Sequence, residues 1–460
     1  MKRRSFLKTA AGGAILPALI PGSALGLDHH YAASERTVIG MIGLGFLGRV
    51  HLFGLLNNPK VQVIALSDVD RWRLDDAARM AEEEYHKQGL PAFGKAVHKD
   101  HEFRDLLARS EIDGVVLTMG DRWHSTATIM AAEAGKDVFV EKPVSLYLKE
   151  TEEMETAVRR TRRITQVGIQ QRSDIAYQHV CRFLRDGRIG KITNIYITGS
   201  SFSVPMDLPA QPVPPTLDWD RWLGPAPWRP FNSRFHQLGL PRGVVPWSFC
   251  SDFGNGSIAD SAVHSFDIIN WSLGLKNFAP LEITPPGEKY PWLTYRFPND
   301  VFVQVVKNRL DSTVLNFPKG WNPDTNIMPF GGVFVGTNGW IHVGRMGFLT
   351  ASSPDLIADA PAYYTNRPDA HNVPFVKRGK HYWTAFYDHK DNWIDGIRNR
   401  TETAAPVRIG CEATRCSILG AMACRLKREL IWDPDKQEFK NDEEANRLRS
   451  RANRAPWNRG

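Results

Sequence analysis

Cysteine is scarce in this chain: five in 460 residues, at Cys181, Cys250, Cys411, Cys416 and Cys424, with no C-x-x-C pair among them. Such spacing points away from a disulfide framework and from a zinc site built on paired cysteines. No internal repeat or low-complexity tract is present. Charge of one sign is also modest. The formal net charge of +8 falls to +4 once residues 1–26, with Lys2, Arg3, Arg4 and Lys8 and no acid, are set aside. No basic cluster interleaved with aromatics remains, which excludes nucleic acid as an expected partner. The uncharged segment from Thr9 to about Gly26 is short and interrupted by Pro17 and Pro21. It is not expected to span or stably anchor in a membrane.

What precedes that segment is informative. Met1-Lys2-Arg3-Arg4-Ser5-Phe6-Leu7-Lys8 reads as a twin-arginine export signal, and Ala24-Leu25-Gly26 offers a small-residue cleavage site. The expectation is a signal peptide over 1–26 and a mature protein in the periplasm or outside the cell, exported already folded.

The strongest local pattern follows at once. The apolar run Val38 to Ile42 enters Gly43-Leu44-Gly45-Phe46-Leu47-Gly48, and a second apolar run, Val61 to Leu66, leads to Asp68. This is the dinucleotide-binding fingerprint with its acidic partner at the expected distance. Gly43 allows the tight turn, Gly45 lets the backbone approach a pyrophosphate, and Gly48 lets helix and strand pack closely. Phe46 and Leu47 open the helix whose N-terminus receives the phosphates. Asp68 accepts from ribose hydroxyls and favours NAD; Arg71 and Arg73 close behind keep NADP open.

Beyond the fingerprint, helix and strand patterns alternate. Helices are expected at Arg71–His86, Ser125–Gly135 and Leu148–Arg160. Strands are expected at Asp113–Thr118, Asp137–Val140 and Ile164–Val167. This alternation predicts an α/β Rossmann domain with a parallel sheet over residues 37–165. From 166 to 457 the pattern changes. Alternating strands at Lys191–Ser200, Trp292–Phe297, Val301–Lys307 and Gly331–Val335 predict an α+β domain with an open, mostly antiparallel sheet. Helices are expected at Asp391–Arg400 and at Cys411–Arg428, the latter with a small-residue face at Gly420, Ala421, Ala423 and Cys424. Residues 203–250 are rich in Pro and Trp. Trp219, Trp222, Trp228 and Trp247 could stack on sugar rings or pack the domain. The charged stretch Glu443–Arg454 is expected on the surface.

Few residues can carry chemistry. Lys142 directly follows the strand Asp137–Val140, and Pro143 biases it to an extended backbone. A lysine so held can bind a hydroxyl, or lose its proton if desolvated. Asp260 and His264 stand four apart, which on a helix puts them on one face; a carboxylate beside an imidazole raises its basicity and suits a general base. Asp267 lies on the neighbouring face and is assigned to structure. No third ligand at regular spacing accompanies this pair, so no metal is expected.

Together, the fingerprint, Glu141-Lys142-Pro143 and Asp260-x-x-x-His264 resemble the glucose–fructose oxidoreductase, inositol dehydrogenase and rhizopine-catabolism family (Gfo/Idh/MocA). Asp113 to Pro143, Val167-Gly168-Ile169-Gln170-Gln171-Arg172 and Asp218 to Pro225 extend the match, and the ending near Ile431 to Trp457 is similar to exported bacterial members. The resemblance implies hydride transfer from a sugar or polyol hydroxyl to the nicotinamide. It gives Lys142 the task of polarising that hydroxyl, and Asp260 and His264 those of binding substrate and accepting its proton. It sets Thr118, His124 and Glu141 along the cofactor, Gln170 and Arg172 at the substrate, and dimers or tetramers on the open sheet face. One departure is plain: Thr118-Met119-Gly120 stands where relatives commonly have a Thr-Pro step. Because free NAD is scarce outside the cytoplasm, export implies a tightly held dinucleotide. The alternative is redox-neutral glycoside cleavage through a transient ketone, as in the family's NAD-dependent glycosidases.

Overall fold

The computed structural model describes residues 31–240, 246–345, 347–360 and 375–457. The segment 1–26, read as an export signal, lies outside the described residues. The first domain alternates β1 (Thr37–Ile42), α1 (Phe46–Leu56), β2 (Val61–Ser67), α2 (Arg71–Lys87), α3 (Pro91–Lys95), β3 (His98–Asp100), α4 (Phe103–Leu107), β4 (Gly114–Leu117), α5 (Asp121–Glu133), β5 (Asp137–Val140), α6 (Leu148–Thr161) and β6 (Thr165–Val167). Its six strands lie parallel in the order β3-β2-β1-β4-β5-β6. Near-continuous apolar strands such as Val115-Val116-Leu117 are buried on both faces, as a helix-covered parallel sheet requires.

Two boundaries differ from the sequence expectation. β6 pairs with β5, so the first sheet runs past residue 165 to Val167. α5 starts at Asp121, not Ser125, because extended Gly120 (φ −76°, ψ 157°) lets residues 121–124 form its first turn. The polar and aromatic mixture there hid the helix period.

The second domain contains α7 (Ile175–Arg185), β7 (Ile192–Thr198), α8 (Trp219–Leu223), α9 (Ser257–Asp260), α10 (Ala262–Leu273), β8 (Glu282–Thr284), β9 (Leu293–Phe297), β10 (Val301–Val306), β11 (Gly332–Gly336), β12 (Gly339–Gly344), β13 (Phe348–Ala351), α11 (Phe375–Asn399), α12 (Val407–Leu426), β14 (Leu430–Asp433), β15 (Glu438–Phe439) and α13 (Glu443–Arg447). Its nine strands run β13-β12-β11-β7-β10-β9-β8-β14-β15. β7 and β10 are parallel and the other neighbours antiparallel. The inner face packs against α7, α10 and α12 through Phe183, Phe266 and Leu419. Gly420 permits that approach: a Cβ there would fall onto the Tyr295 hydroxyl and lie 2.9 Å from Leu293 Cδ2. α11 begins far earlier than expected, at Phe375, and turns back on the first domain, where Trp393 meets Phe139 with ring centroids 5.8 Å apart. The C-terminal stretch is not wholly superficial. Ala445 is buried, and Trp457 packs edge-on against Trp123 at 5.1 Å.

The outer face of the large sheet is not bare. Leu310, Val314, Trp321 and Ile327, all from the connection between β10 and β11, cover Tyr196, Val306, Val333, Val335 and Trp340. Polar ties seal the cover: Leu315 N donates to Gln304 Oε1 (2.7 Å), and Asn316 Nδ2 donates to Asn194 Oδ1 (2.7 Å). This segment and the strands beneath it together form the surface of the domain on that side. Ile327→Val should lower the domain's unfolding free energy by about 1 kcal/mol, read as an earlier denaturant midpoint. An unchanged midpoint would mean that the cover is not packed.

Candidate active site

The glycine turn is built as its residues require. Gly43 has φ +89°, and a Cβ on it would lie 2.7–2.9 Å from the backbone of Thr118 and Met119. Gly48 touches the same turn: a Cβ there would meet the Gly43 carbonyl oxygen and lie 2.8 Å from Thr118 Oγ1. Thr118 Oγ1 in turn donates to Gly43 O at 2.5 Å, locking the end of β4 to the turn. Gly45 faces open space, with only Arg73 Nη1, at 3.5 Å, near its would-be Cβ. No side-chain hydrogen bond caps α1 at Gly45, and a phosphate at this N-terminus would meet the positive end of the helix dipole. Asp68 accepts from Leu44 N (2.6 Å) and Asp70 N (2.8 Å), two of about four lone-pair positions, which leaves it acceptors for a ribose. Turn, helix end and carboxylate fit a dinucleotide.

One cavity of about 390 Å³ joins this turn to the chemistry-bearing residues. Its wall includes Gly43, Gly45, Phe46, Leu47, Asp68, Thr118, His124, Glu141, Lys142 and Asp260, as well as Asp121. Among the described residues it does not include Arg71, Gln170, Arg172 or His264. Arg71 is exposed, and it is Arg73 that turns inward, donating to Gln237 O at 2.9 Å.

Lys142 sits just beyond β5, with Nζ donating to Asp260 Oδ1 (2.5 Å) and Asp260 O (2.9 Å). Burial alone would push its ammonium pKa down, but the carboxylates of Asp260, Glu141 and Asp121 outweigh that and hold it above the ordinary lysine value. Lys142 is therefore a cation, and deprotonation by desolvation does not occur. Lys142 and Arg345 hold Asp260 below the usual carboxylate range against the effect of burial. Glu141 buttresses this turn from below. It accepts from His51 Nε2 (2.9 Å) and Lys142 N (3.2 Å), and a Cβ on Gly168 would lie 2.7 Å from its Oε2. Burial lowers the His51 pKa to about 4, so His51 is neutral and gives its ring N–H to Glu141. His124 donates through Nδ1 to Pro143 O at 2.6 Å, since a carbonyl can only accept.

The expected Asp260/His264 dyad does not form. The helix breaks at Ser261, between α9 and α10, and Asp260 turns to Lys142. His264, 1 % exposed, meets Arg345 Nη2 at 3.2 Å through Nε2. Gln171, its amide oriented with oxygen toward Arg345 Nε (2.8 Å), faces His264 Nδ1 at 2.8 Å. Burial, then Arg345, Lys142 and His389, hold the His264 pKa well below its ordinary value, the opposite of an imidazole made more basic by a carboxylate. Arg172 is likewise committed: its Nη2 pairs with buried Asp267 at 2.7 Å, bearing out a structural Asp267 but removing Arg172 from the substrate side. Gln170 is buried. Sequence spacing could not choose between Gln170 and Gln171, which differ only in the direction a short turn gives them.

The Pro- and Trp-rich segment roofs the cofactor end. Asp218 N donates to Val69 O (2.9 Å), Arg71 N to Thr216 O (2.9 Å), and His236 Nε2 lies 2.9 Å from Asp70 Oδ2. Arg122, from α5, donates to Trp222 O (2.6 and 2.9 Å) with its guanidinium carbon 3.6 Å from the Trp222 ring. Trp219 stacks on Trp222 at 4.5 Å, and Trp222, Trp247 and Trp457 line the cavity, whereas Trp228 is exposed. Of these cavity residues, Arg122, Trp457 and Asp121 had no part in the sequence-based site.

Fold and cavity define a two-domain protein with an NAD-binding Rossmann domain and an α+β partner that closes over its cofactor cleft. Residues 37–169 match the family model described as oxidoreductase family, NAD-binding Rossmann fold. Residues 200–289 and 372–459 match its companion, the oxidoreductase family C-terminal alpha/beta domain. The chain belongs to the Gfo/Idh/MocA oxidoreductase family. It is 31 % identical over 220 residues to the myo-inositol 2-dehydrogenase of Thermotoga maritima, covering 48 % of this chain and 58 % of that one. With a glycosyl hydrolase family 109 protein of Shewanella pealeana it shares 29 % identity over 177 residues, covering 35 % and 38 %. The chain thus spans less than two-thirds of the length of these curated relatives. Scyllo-inositol dehydrogenase from Lactobacillus casei, solved with NAD(H) and scyllo-inositol, shares the fold at TM-score 0.53 and 16 % identity, over 86 % of this chain and 99 % of that one.

Proposed function

We propose that this chain is an NAD-dependent oxidoreductase of a sugar or polyol hydroxyl, acting in the periplasm or outside the cell on a dinucleotide it holds tightly. The observation that carries this reading is the placement of a cationic, Asp260-bound Lys142 in the same cavity as the Gly43–Gly48 turn and Asp68. Lys142 has a third N–H for the reacting hydroxyl, and its charge stabilises oxygen as the O–H bond weakens. Asp260 orients Lys142; Glu141, braced by His51, fixes the turn on which both depend. A bound nicotinamide dinucleotide supplies the hydride acceptor. Asp68 favours NAD, and Arg73, already donating to Gln237 O, supports that preference. The roof over the adenosine end, tied at Asp70 by His236 and Leu217, supports slow cofactor exchange. Export rests on Arg3-Arg4 and the segment after them. No described helix is long and apolar enough to cross a membrane. Self-association as a dimer or tetramer through the sheet side of the second domain is part of this reading.

Glycoside cleavage is the second reading, supported by the family 109 relative. The Glu141-Lys142-Pro143 triplet and the Lys142–Asp260 pair favour net oxidation. Purified mature protein offered candidate sugars and polyols, with absorbance followed in the reduced-nicotinamide band, should give a lasting rise. Aglycone release without a net rise would replace the oxidoreductase by the glycosidase, and neither signal would sink both.

A further inference from the structure

The ribose acceptor Asp68 shares its cavity with a wall that the second domain supplies: Arg221, Trp222 and Arg234 to Gln237 line the same space as Asp68 and Val69. The stretch 216–237 that carries them has an apolar cluster of its own, in which Leu217, Trp219, Trp222, Leu223, Phe231 and Phe235 pack together. A row of polar ties fastens it to the first domain. Leu217 bridges to Asp70, Arg71 N donates to Thr216 O, and Asp218 N donates to Val69 O. Buried His236 donates through Nε2 to Asp70 Oδ2 at 2.9 Å, and Arg221 Nε donates to Glu102 Oε2 at 3.0 Å. The His236 tie reaches the cofactor loop directly, since Asp70 N donates to Asp68 Oδ1 at 2.8 Å. A segment that packs on itself and docks through hydrogen bonds can lift as a body when those bonds break.

We propose that residues 216–237 form a strap over the adenosine half of the dinucleotide, and that the His236–Asp70 and Arg221–Glu102 ties set the rate at which the cofactor leaves. The glycine turn and Asp68 belong to the first domain and are present whether the strap is down or lifted. The ties exist only when it is down. A dinucleotide beneath the strap leaves from the lifted form, so each tie removed raises the population from which it escapes. His236 and Asp70 are both buried, whereas the Arg221 side chain is 36 % exposed and its tie is screened by water. Loss of the first tie therefore has the larger effect.

This inference deepens the reading of a tightly held dinucleotide and rests on it, and its test separates the two. Protein loaded with reduced dinucleotide is chased with excess NAD, and the decay of bound-nicotinamide fluorescence gives the dissociation rate without any turnover. His236→Ala should speed dissociation about tenfold, and Arg221→Gln about threefold. Glu102→Gln cuts the same tie from the first domain, keeps an acceptor for Arg104 N, and should match Arg221→Gln. The His236 and Arg221 changes combined should give about 30-fold. Trp228→Ala, at an exposed position of the same stretch, should leave the rate unchanged. Variants that fold but dissociate at the wild-type rate, or a Trp228→Ala protein as fast as His236→Ala, would overturn the strap. Oxidation of a sugar or polyol alongside either result would leave the function standing. Strap-sensitive dissociation in a protein that oxidises nothing would overturn the function and leave the strap standing.

Discussion

Lys142→Met should lower kcat/KM for the sugar or polyol by about 1,000-fold while the protein retains its dinucleotide. The methionine preserves stem volume but removes every N–H. The reacting oxygen then has no cation to lean on as its proton leaves, and one preorganised donor of this kind is worth about 100- to 1,000-fold in the transition state. The loss extends further, because Asp260, Glu141 and Asp121 crowd the cavity and Lys142 is the shared counter-charge. Without it, Asp260 loses the partner that holds it ionised. Initial rates in the reduced-nicotinamide band, with bound dinucleotide assayed after heat release, check both halves. Turnover within tenfold of wild type would remove Lys142 from the chemistry; loss of the dinucleotide would make it a binding residue. Lys142→Arg should not rescue, since a planar fork cannot replace a compact ammonium at a site 2.5 Å from Asp260 Oδ1.

Gly48→Ala carries the second large effect, through space alone. The new methyl would strike the Gly43 carbonyl and lie 2.8 Å from Thr118 Oγ1. Backbone on one side and a locked hydroxyl on the other leave little to yield, so α1 must move off β1 and β4. Overpacking of this kind costs about 3 kcal/mol. The shift also pulls the α1 amides away from the pyrophosphate position, so dinucleotide affinity should fall along with the melting temperature. Gly45→Ala is the control: its would-be Cβ meets only Arg73 Nη1, at 3.5 Å, so stability should hold while dinucleotide binding weakens. Equal melting temperatures for Gly48→Ala and wild type would refute the steric account.

Much of the first domain was legible because each of its signals is local. A two-sided buried strand shows as an unbroken apolar run, and the glycine turn and Asp68 are read in one sweep of the chain. Lys142 was legible for the same reason, a strand end stopped by Pro143. The Asp260/His264 pair was misread because spacing assumes an unbroken helix, and the break at Ser261 turned Asp260 outward to Lys142. The covered sheet face hid in an irregular connection whose apolar residues, Leu310, Val314, Trp321 and Ile327, follow no period.

By itself, then, the sequence determined the two-domain plan, the dinucleotide turn with its acid, and the lysine at the strand end, all properties of neighbours along the backbone. Tertiary structure alone decided that Lys142 stays charged, that His264 stays neutral outside the cavity wall, that Arg172 belongs to Asp267, and that Thr216, Leu217, Asp218 and His236 tie the Pro- and Trp-rich segment over the cofactor end. Those outcomes depend on burial and on charges brought together across domains, and burial is a property of the packed chain.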